Sequence, residues 1–307
     1  MSTGERDCSA SPDAAGEERD RSTIHDAAAL VRAREKHDWR VRSTRTRHAR
    51  RFLSSWDDLM IDADNVSYGY QSVTTAEKRR LVDQTFETIA GRYDLADALL
   101  SLGLHFLWKR FAIGCLELRE GDAVLDLCGG TGDLAIMAAR KVIPGGRVTV
   151  CDINAAMMRV GQRKAQRLDL KDTVFWVRGD AESLSFDDDT FDAVTVGFGV
   201  RNLVHLERGL GEILRVLKCG GRLMILEFSV PKTGWIKRLY EAYSFKVMPA
   251  AGRVITGTGE PFRYLAESIR VFPAPQALSA KLEALGFTNV TFDRLTDGIA
   301  VVYLCKK

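Results

Sequence analysis

The chain has 307 residues, 46% of them hydrophobic, enough to bury a large core in one doubly wound domain with extra segments. A formal charge of +3 is too small to argue for nucleic acid as the main partner, since phosphate binding ordinarily shows as a strong basic excess or stripe; any RNA contact must be local, and no specific nucleic acid is expected. No apolar run approaches the roughly 18 to 20 residues that span a bilayer, and no secretory core stands near the start. The six cysteines form no Cys-x-x-Cys pair and the five histidines are scattered. They read as small core residues in a reducing, cytoplasmic compartment with no metal site.

Residues 1–70 are polar and acidic to about Asp26, then Arg-rich from Arg32 to Arg51, with few apolar positions at any regular period. This composition predicts a mostly disordered extension. The acids Glu5, Asp7, Asp13, Glu17, Glu18 and Asp20 argue against a transit peptide, leaving a solvated tail or an over-extended start. Regular structure is expected from near Thr75, where Leu81, Val82, Phe86 and Ile89 recur at helical spacing, and two or three helices precede the first strand. Strands at 123–128, 147–151, 173–177, 191–197 and 222–228 then alternate with helices from 132, over 154–168 and over 205–217. That alternation predicts a parallel sheet covered by helices on both faces. Lys218-Cys219-Gly220-Gly221 reads as the basic last turn and glycine cap of the 205–217 helix. An aromatic segment from Trp235 to Met248 leads through a glycine-rich loop to helices at 261–271 and 275–285. Strands at 290–295 and 299–304 close the chain, joined by the hairpin signal Thr296-Asp297-Gly298. The folded domain is placed at 71–307, with 230–272 as a substrate or lid insertion.

Val124-Leu-Asp-Leu-Cys-Gly-Gly-Thr-Gly-Asp133 is an apolar run breaking into a glycine-rich turn, and a second apolar run ends at Asp152. On adjacent strands, small residues let backbone approach a ligand while an acid about 20 residues on accepts from ribose hydroxyls. The third glycine of the dinucleotide fingerprint is missing, and Asp133 stands where a pyrophosphate would dock and repels it. A cofactor without phosphate is favoured. The spacing Asp126-x-x-Gly129-Gly130-Thr131-Gly132 resembles the first motif of class I S-adenosylmethionine-dependent methyltransferases. Asp126 and Thr131 are placed under the methionine tail, with the alternative that Asp126 only orders the glycine turn. Asp152 is placed on the ribose, or else caps the next helix in competition with Asn154. Asp180 and Ala181 follow the third strand at the adenine, and Gly197 ends the fourth strand beside Arg201 and Asn202 at a substrate edge.

Gly197-Phe-Gly-Val-Arg-Asn202, Val216-Leu-Lys-Cys-Gly-Gly-Arg-Leu-Met-Ile-Leu-Glu-Phe-Ser229, Tyr243-Ser-Phe245, Tyr264-Leu-Ala-Glu-Ser-Ile-Arg270, Arg92-Tyr-Asp94 and Leu100-Ser-Leu-Gly-Leu-His105 belong together. With the glycine loop they resemble the ubiquinone/menaquinone biosynthesis C-methyltransferases of the UbiE/MenG type, from about Tyr68 to the C-terminus. The resemblance implies an α/β class I methyltransferase fold, a Rossmann-like doubly wound sheet with a C-terminal antiparallel hairpin. It implies methyl transfer from S-adenosylmethionine to a ring carbon of a polyprenylated quinol, demethylmenaquinol or 2-polyprenyl-6-methoxybenzoquinol, and carries over Thr131, Asp152, Asp180 and Ala181 as cofactor residues. The chain departs from the family at Gly197, where Ser is common, and at Cys219, where Pro is usual.

Arg201, Asn202, Tyr93 and Tyr243 are the candidates for holding the phenolic oxygen, with Arg201 stabilising a phenolate because it stays protonated. His105 is either the base or a packed core residue. The apolar and aromatic residues of 235–248, interleaved with Lys237, Arg238 and Lys246, fit a prenyl groove with peripheral membrane contact, or a lid helix packed on the sheet. A homodimer is compatible with the sequence. The rival readings are an RNA methyltransferase using 32–51, a methyltransferase for another small molecule, and a non-catalytic binder.

Overall fold

The computed structural model describes residues 65–307; the disorder expected of the N-terminal extension and the Arg-rich stretch 32–51 lie outside these residues. Among the described residues the first regular element begins at Asn65, ten residues ahead of Thr75, in an antiparallel hairpin of β1 (Asn65–Tyr68) and β2 (Gln71–Thr74). The Thr74 hydroxyl then accepts from Glu77 N at 3.2 Å and caps α1 (Thr75–Ile89). Helices α2 (Tyr93–Leu100) and α3 (Leu104–Cys115) complete the part before the main sheet.

The alternating part contains β3 (Ala123–Leu127), α4 (Asp133–Val142), β4 (Arg147–Asp152), α5 (Ala155–Arg167), β5 (Val174–Arg178), β6 (Phe191–Gly197), α6 (Leu206–Val216) and β7 (Leu217–Phe228). Helices α7 (Gly234–Ala242), α8 (Met248–Thr256), α9 (Glu260–Val271) and α10 (Pro275–Ala284) follow, then β8 (Thr288–Leu295) and β9 (Ala300–Lys306). The seven-stranded sheet has the order β5-β4-β3-β6-β7-β9-β8. Strands β3 to β7 run parallel, and β9 is antiparallel to both β7 and β8. Helices on both faces bury β3 along its whole length, so it reads as a nearly continuous apolar run in which Asp126 is the one charged residue. Chain order reverses between β3 and β6, which opens a crevice at the carboxyl ends of those strands.

Two local expectations are corrected, and the terminal hairpin stands as expected. Helix α6 ends at Leu217 in extended backbone, and Phe191 pairs with Leu217 while Ala193 pairs with Arg222; residues 218–221 are therefore a bulge inside β7 rather than a helix cap. Residues 249–256 are helical rather than loop. Pro249 sits in the first turn, where its missing N–H is harmless, and a Cβ on Gly252 would lie 2.0 Å from Phe262 Cδ2, so that glycine serves close packing of α8 on α9. The final connection places Thr296, Asp297 and Gly298 all at positive φ, and Asp297 accepts from Thr233 N at 3.0 Å and Thr233 Oγ1 at 2.8 Å. A π-helical turn, Tyr243–Val247, joins α7 to α8.

Candidate active site

The crevice holds a cavity of about 1130 Å³ lined by Asp126, Gly129, Gly130, Thr131, Asp152, Asp180, Ala181, Gly197 and Asn202, so the fold brings these nine residues together. Gly132 is the exception. It takes φ +73 at the start of α4, and a Cβ there would lie 2.6 Å from Trp176 Cη2, so its smallness serves the turn and the neighbouring indole, not the cavity.

Asp152 accepts from Gly130 N on Oδ2 and from Asn154 N on Oδ1, both at 2.8 Å, and burial raises its pKa. Asn154 takes the cap of α5 by accepting from Met157 N at 2.9 Å, which resolves the competition between the two residues. Asp126 accepts from Thr195 Oγ1 at 2.7 Å and Ala135 N at 3.1 Å, and burial pushes its pKa up to about 7. Both its oxygens are engaged beneath the glycine turn, where a Cβ on Gly129 would lie 2.7 Å from Oδ2. Asp180 accepts from Glu182 N at 2.9 Å and pairs with Arg79 at 3.3 Å. At Gly197 a Cβ would lie 2.6 Å from Leu134 Cδ1, so that side chain occupies the space a serine would need.

Several of the residues missed by sequence reasoning come from the helices before the sheet. Arg79, Asp83 and Phe86 of α1 line the cavity from above. Thr131 Oγ1 donates to Asp94 at 2.6 Å, Lys164 bonds Asp94 at 2.8 Å, and Asp133 lies between Lys164 and Lys109. Burial alone would raise the Asp133 pKa, but the two lysines bring it down to about 2. The carboxylate expected to repel a phosphate is thus charge-balanced, and only the absent third glycine still argues against a dinucleotide. Asp94 was within reach through Arg92-Tyr-Asp94; the cover by α1 had no signal.

A second cavity of about 850 Å³ adjoins the first and shares Phe86 and Tyr93 with it. Trp108, Phe228, Tyr243, Met248, Phe262 and Tyr264 make it largely apolar, and Arg201 lies in its wall. Arg201 Nη1 donates to Glu227 Oε1 at 2.7 Å and to Phe198 O at 2.5 Å, while its Nε is buried with no partner among the described residues. Asn202 faces the first cavity, and its Oδ1 accepts from Tyr264 OH at 3.0 Å. Burial raises the Tyr93 hydroxyl well above an ordinary phenol. One candidate for the acceptor oxygen is corrected, and the alternative left open at His105 is decided. The Tyr243 hydroxyl donates to Leu100 O at 2.6 Å, bracing the π turn against α2, so its one proton is not free to be donated to a substrate oxygen. His105 lines neither cavity; it is fully buried, with Nδ1 2.9 Å from Asp97 and its ring against Phe106, which makes it the packed residue and not the base.

A parallel sheet with a reversed terminal hairpin, a glycine turn facing an acid on the next strand, and a crevice at the switch in strand order define the class I S-adenosylmethionine-dependent methyltransferase type. A solved SAM-dependent methyltransferase from Thermotoga maritima, described as a possible histamine N-methyltransferase, shares this fold at TM-score 0.51, with 20% identity over 73% of this chain and 99% of that one. The model of the ubiE/COQ5 methyltransferase family matches residues 72–307, and the chain belongs to that family. It is similar to the ubiquinone/menaquinone biosynthesis C-methyltransferase UbiE of Edwardsiella ictaluri, 42% identical over 78% of this chain and 96% of the relative. The enzyme of the same name from Pseudomonas putida is 45% identical over 77% of this chain and 92% of its own.

Proposed function

We propose that the protein transfers a methyl group from S-adenosylmethionine to a ring carbon of a polyprenylated quinol in ubiquinone or menaquinone biosynthesis. The observation that carries this reading is the pair of adjoining cavities, one edged by the glycine turn and the carboxylates of Asp126, Asp152 and Asp180, the other mainly by aromatic side chains, that share Phe86 and Tyr93. The names of the relatives supply the acceptor class and the ring-carbon target.

The first cavity fits S-adenosylmethionine. Asp152 keeps lone pairs beyond its two backbone donors for ribose hydroxyls, and Asp180 can accept from an adenine amino group. S-adenosylmethionine, once bound, supplies a methyl group already activated by its cationic sulfur. The protein therefore has to align the ring carbon and raise its electron density. Alignment of this kind contributes on the order of 7 to 11 kcal/mol. The apolar second cavity takes the ring, and the buried Arg201 guanidinium, held by Glu227, stabilises negative charge growing on the phenolic oxygen. Tyr93 stays a neutral donor between the two compartments because burial keeps its proton on.

The prenyl tail leaves toward a membrane-contact face at the α2–α3 elbow, and the enzyme works as a cytoplasmic protein peripheral to the bilayer. Leu99, Leu102, Phe106 and Leu107 are exposed there, Leu102 to 84%, next to the second-cavity residues Leu100 and Ser101. Trp235 and Leu239 of α7 are exposed as well, while Tyr240, Tyr243 and Met248 of the same aromatic segment line the cavity, so 235–248 serves both groove and surface. No helix among the described residues is long and apolar enough to cross a membrane.

The test uses purified protein and labelled S-adenosylmethionine, with demethylmenaquinol and demethylated methoxybenzoquinol analogues kept reduced. Methylation of either ring carbon is expected, and the ratio names the preferred acceptor. Cofactor binding without methylation of either would overturn the quinol assignment.

A further inference from the structure

We infer that Asp97 makes the acceptor compartment selective for the dihydroxy form of the ring over the oxidised dione, an inference that rests on the quinol reading. Asp97 belongs to α2 and lines the second cavity, with its side chain 14% exposed. Its Oδ2 is taken by Lys109 Nζ and His105 Nδ1, each at 2.9 Å. Its Oδ1 has no donor among the described residues. Burial works to raise the Asp97 pKa, but Lys109 and then His105 outweigh it and hold the group ionised. An ionised carboxylate only accepts hydrogen bonds. It takes a proton donor from a phenolic O–H and repels the lone pairs of a quinone carbonyl.

The surroundings keep it that way. Lys109 is fixed on its other side by Asp133 at 2.9 Å and lies 5.9 Å from the Phe198 ring centroid, so its ammonium is not free to turn and donate to a carbonyl in Asp97's place. Arg201 Nε and the Tyr93 hydroxyl are left for the other ring oxygen. A purely structural role for Asp97, tying α2 to α3 and α4 through Lys109, would weaken the fold on mutation without changing the preference between two forms of one ligand.

The experiment measures binding of a short-tailed quinol analogue to the full chain in the presence of S-adenosylhomocysteine, once reduced under anaerobic dithionite and once oxidised. The wild type should prefer the reduced form by roughly 10- to 100-fold, the worth of one hydrogen bond to a charged acceptor. Asp97→Asn, whose amide both donates and accepts, should bring the two within about 3-fold of each other, with S-adenosylhomocysteine affinity as the check on folding. Unchanged discrimination in the variant overturns the inference. Should the variant not fold, the wild type still decides, because equal affinity for the two forms overturns it too. Discrimination by a wild type that fails to methylate the reduced analogue would leave Asp97 in its role and overturn the transfer reaction instead.

Discussion

Arg201 and Glu227 form an ion pair, Nη1 to Oε1 at 2.7 Å, in which the two side chains are 6% and 1% exposed. Removing one partner of such a pair strands the other charge in a low dielectric, at about 3 to 5 kcal/mol. Arg201→Ala should therefore lower stability by about that amount and turnover by roughly 100-fold or more, as loss of a charge-stabilising donor does. S-adenosylmethionine affinity should stay nearly intact. The double variant Arg201→Ala/Glu227→Ala should recover part of the stability and none of the rate. Denaturant melts and steady-state kinetics check this; an unchanged rate in the single variant removes Arg201 from the mechanism.

Trp176 wedges against two glycines, Gly132 and Gly161, whose added Cβ atoms would lie 2.6 Å and 2.2 Å from its Cη2. Gly132 is also left-handed, a conformation that disfavours L-residues by about 1 to 2 kcal/mol. Gly132→Ala should destabilise by more than that strain alone. Gly132→Ala in a Trp176→Leu background should cost only the strain. Thermal melts of the four proteins separate the two contributions.

Two aspartates, Asp126 fully buried and Asp133 partly so, should give opposite pH signatures. Asp133, brought down to about 2 from 3.8, contributes stability that is complete above pH 4 and is lost as pH falls toward 2. Asp126, pushed up to about 7, contributes stability that is complete below pH 4 and is lost as pH rises through 7. Asp126→Asn should thus be nearly neutral at pH 4 and stabilising by a few kcal/mol at pH 8, since each tenfold change in proton affinity is worth about 1.4 kcal/mol. Thr195 can reverse its hydroxyl to serve an amide. Unfolding free energies across this range would expose a wrong sign directly.

Replacing Leu102 and Phe106 by glutamate should abolish co-sedimentation with anionic vesicles. Methylation of a short-tailed quinol in solution should be unaffected, because neither residue lines a cavity. Retained vesicle binding would move the membrane contact away from the elbow.

What could be read in the sequence was what depends on short range. The strand-turn-helix around Gly129 to Asp133, the acid ending β4 and the alternation of strands and helices are all local patterns, and each landed within a few residues of its place. Gly220 misled because a glycine run after a helix signals a cap, and pairing with β6 turned it into a bulge. Tyr243 misled, and His105 stayed open between two readings, for another reason. Whether a hydroxyl or imidazole is free depends on a carbonyl or carboxylate brought to it by the fold, here Leu100 O across 143 residues and Asp97 one helix earlier. The cover of α1 over the first cavity was invisible for the same cause, since its contacts with Asp180 and Glu182 span about a hundred residues.

The Thr296–Gly298 turn touches two distant parts of the chain, through Asp297 to Thr233 and through Thr296, which accepts from Trp108 Nε1 at 2.9 Å. The last hairpin is therefore a keystone, and the acceptor compartment is no detachable attachment to an independent catalytic core. A change at the turn, at Trp108 or at Thr233 therefore bears on the other two, because side-chain hydrogen bonds hold all three in one assembly.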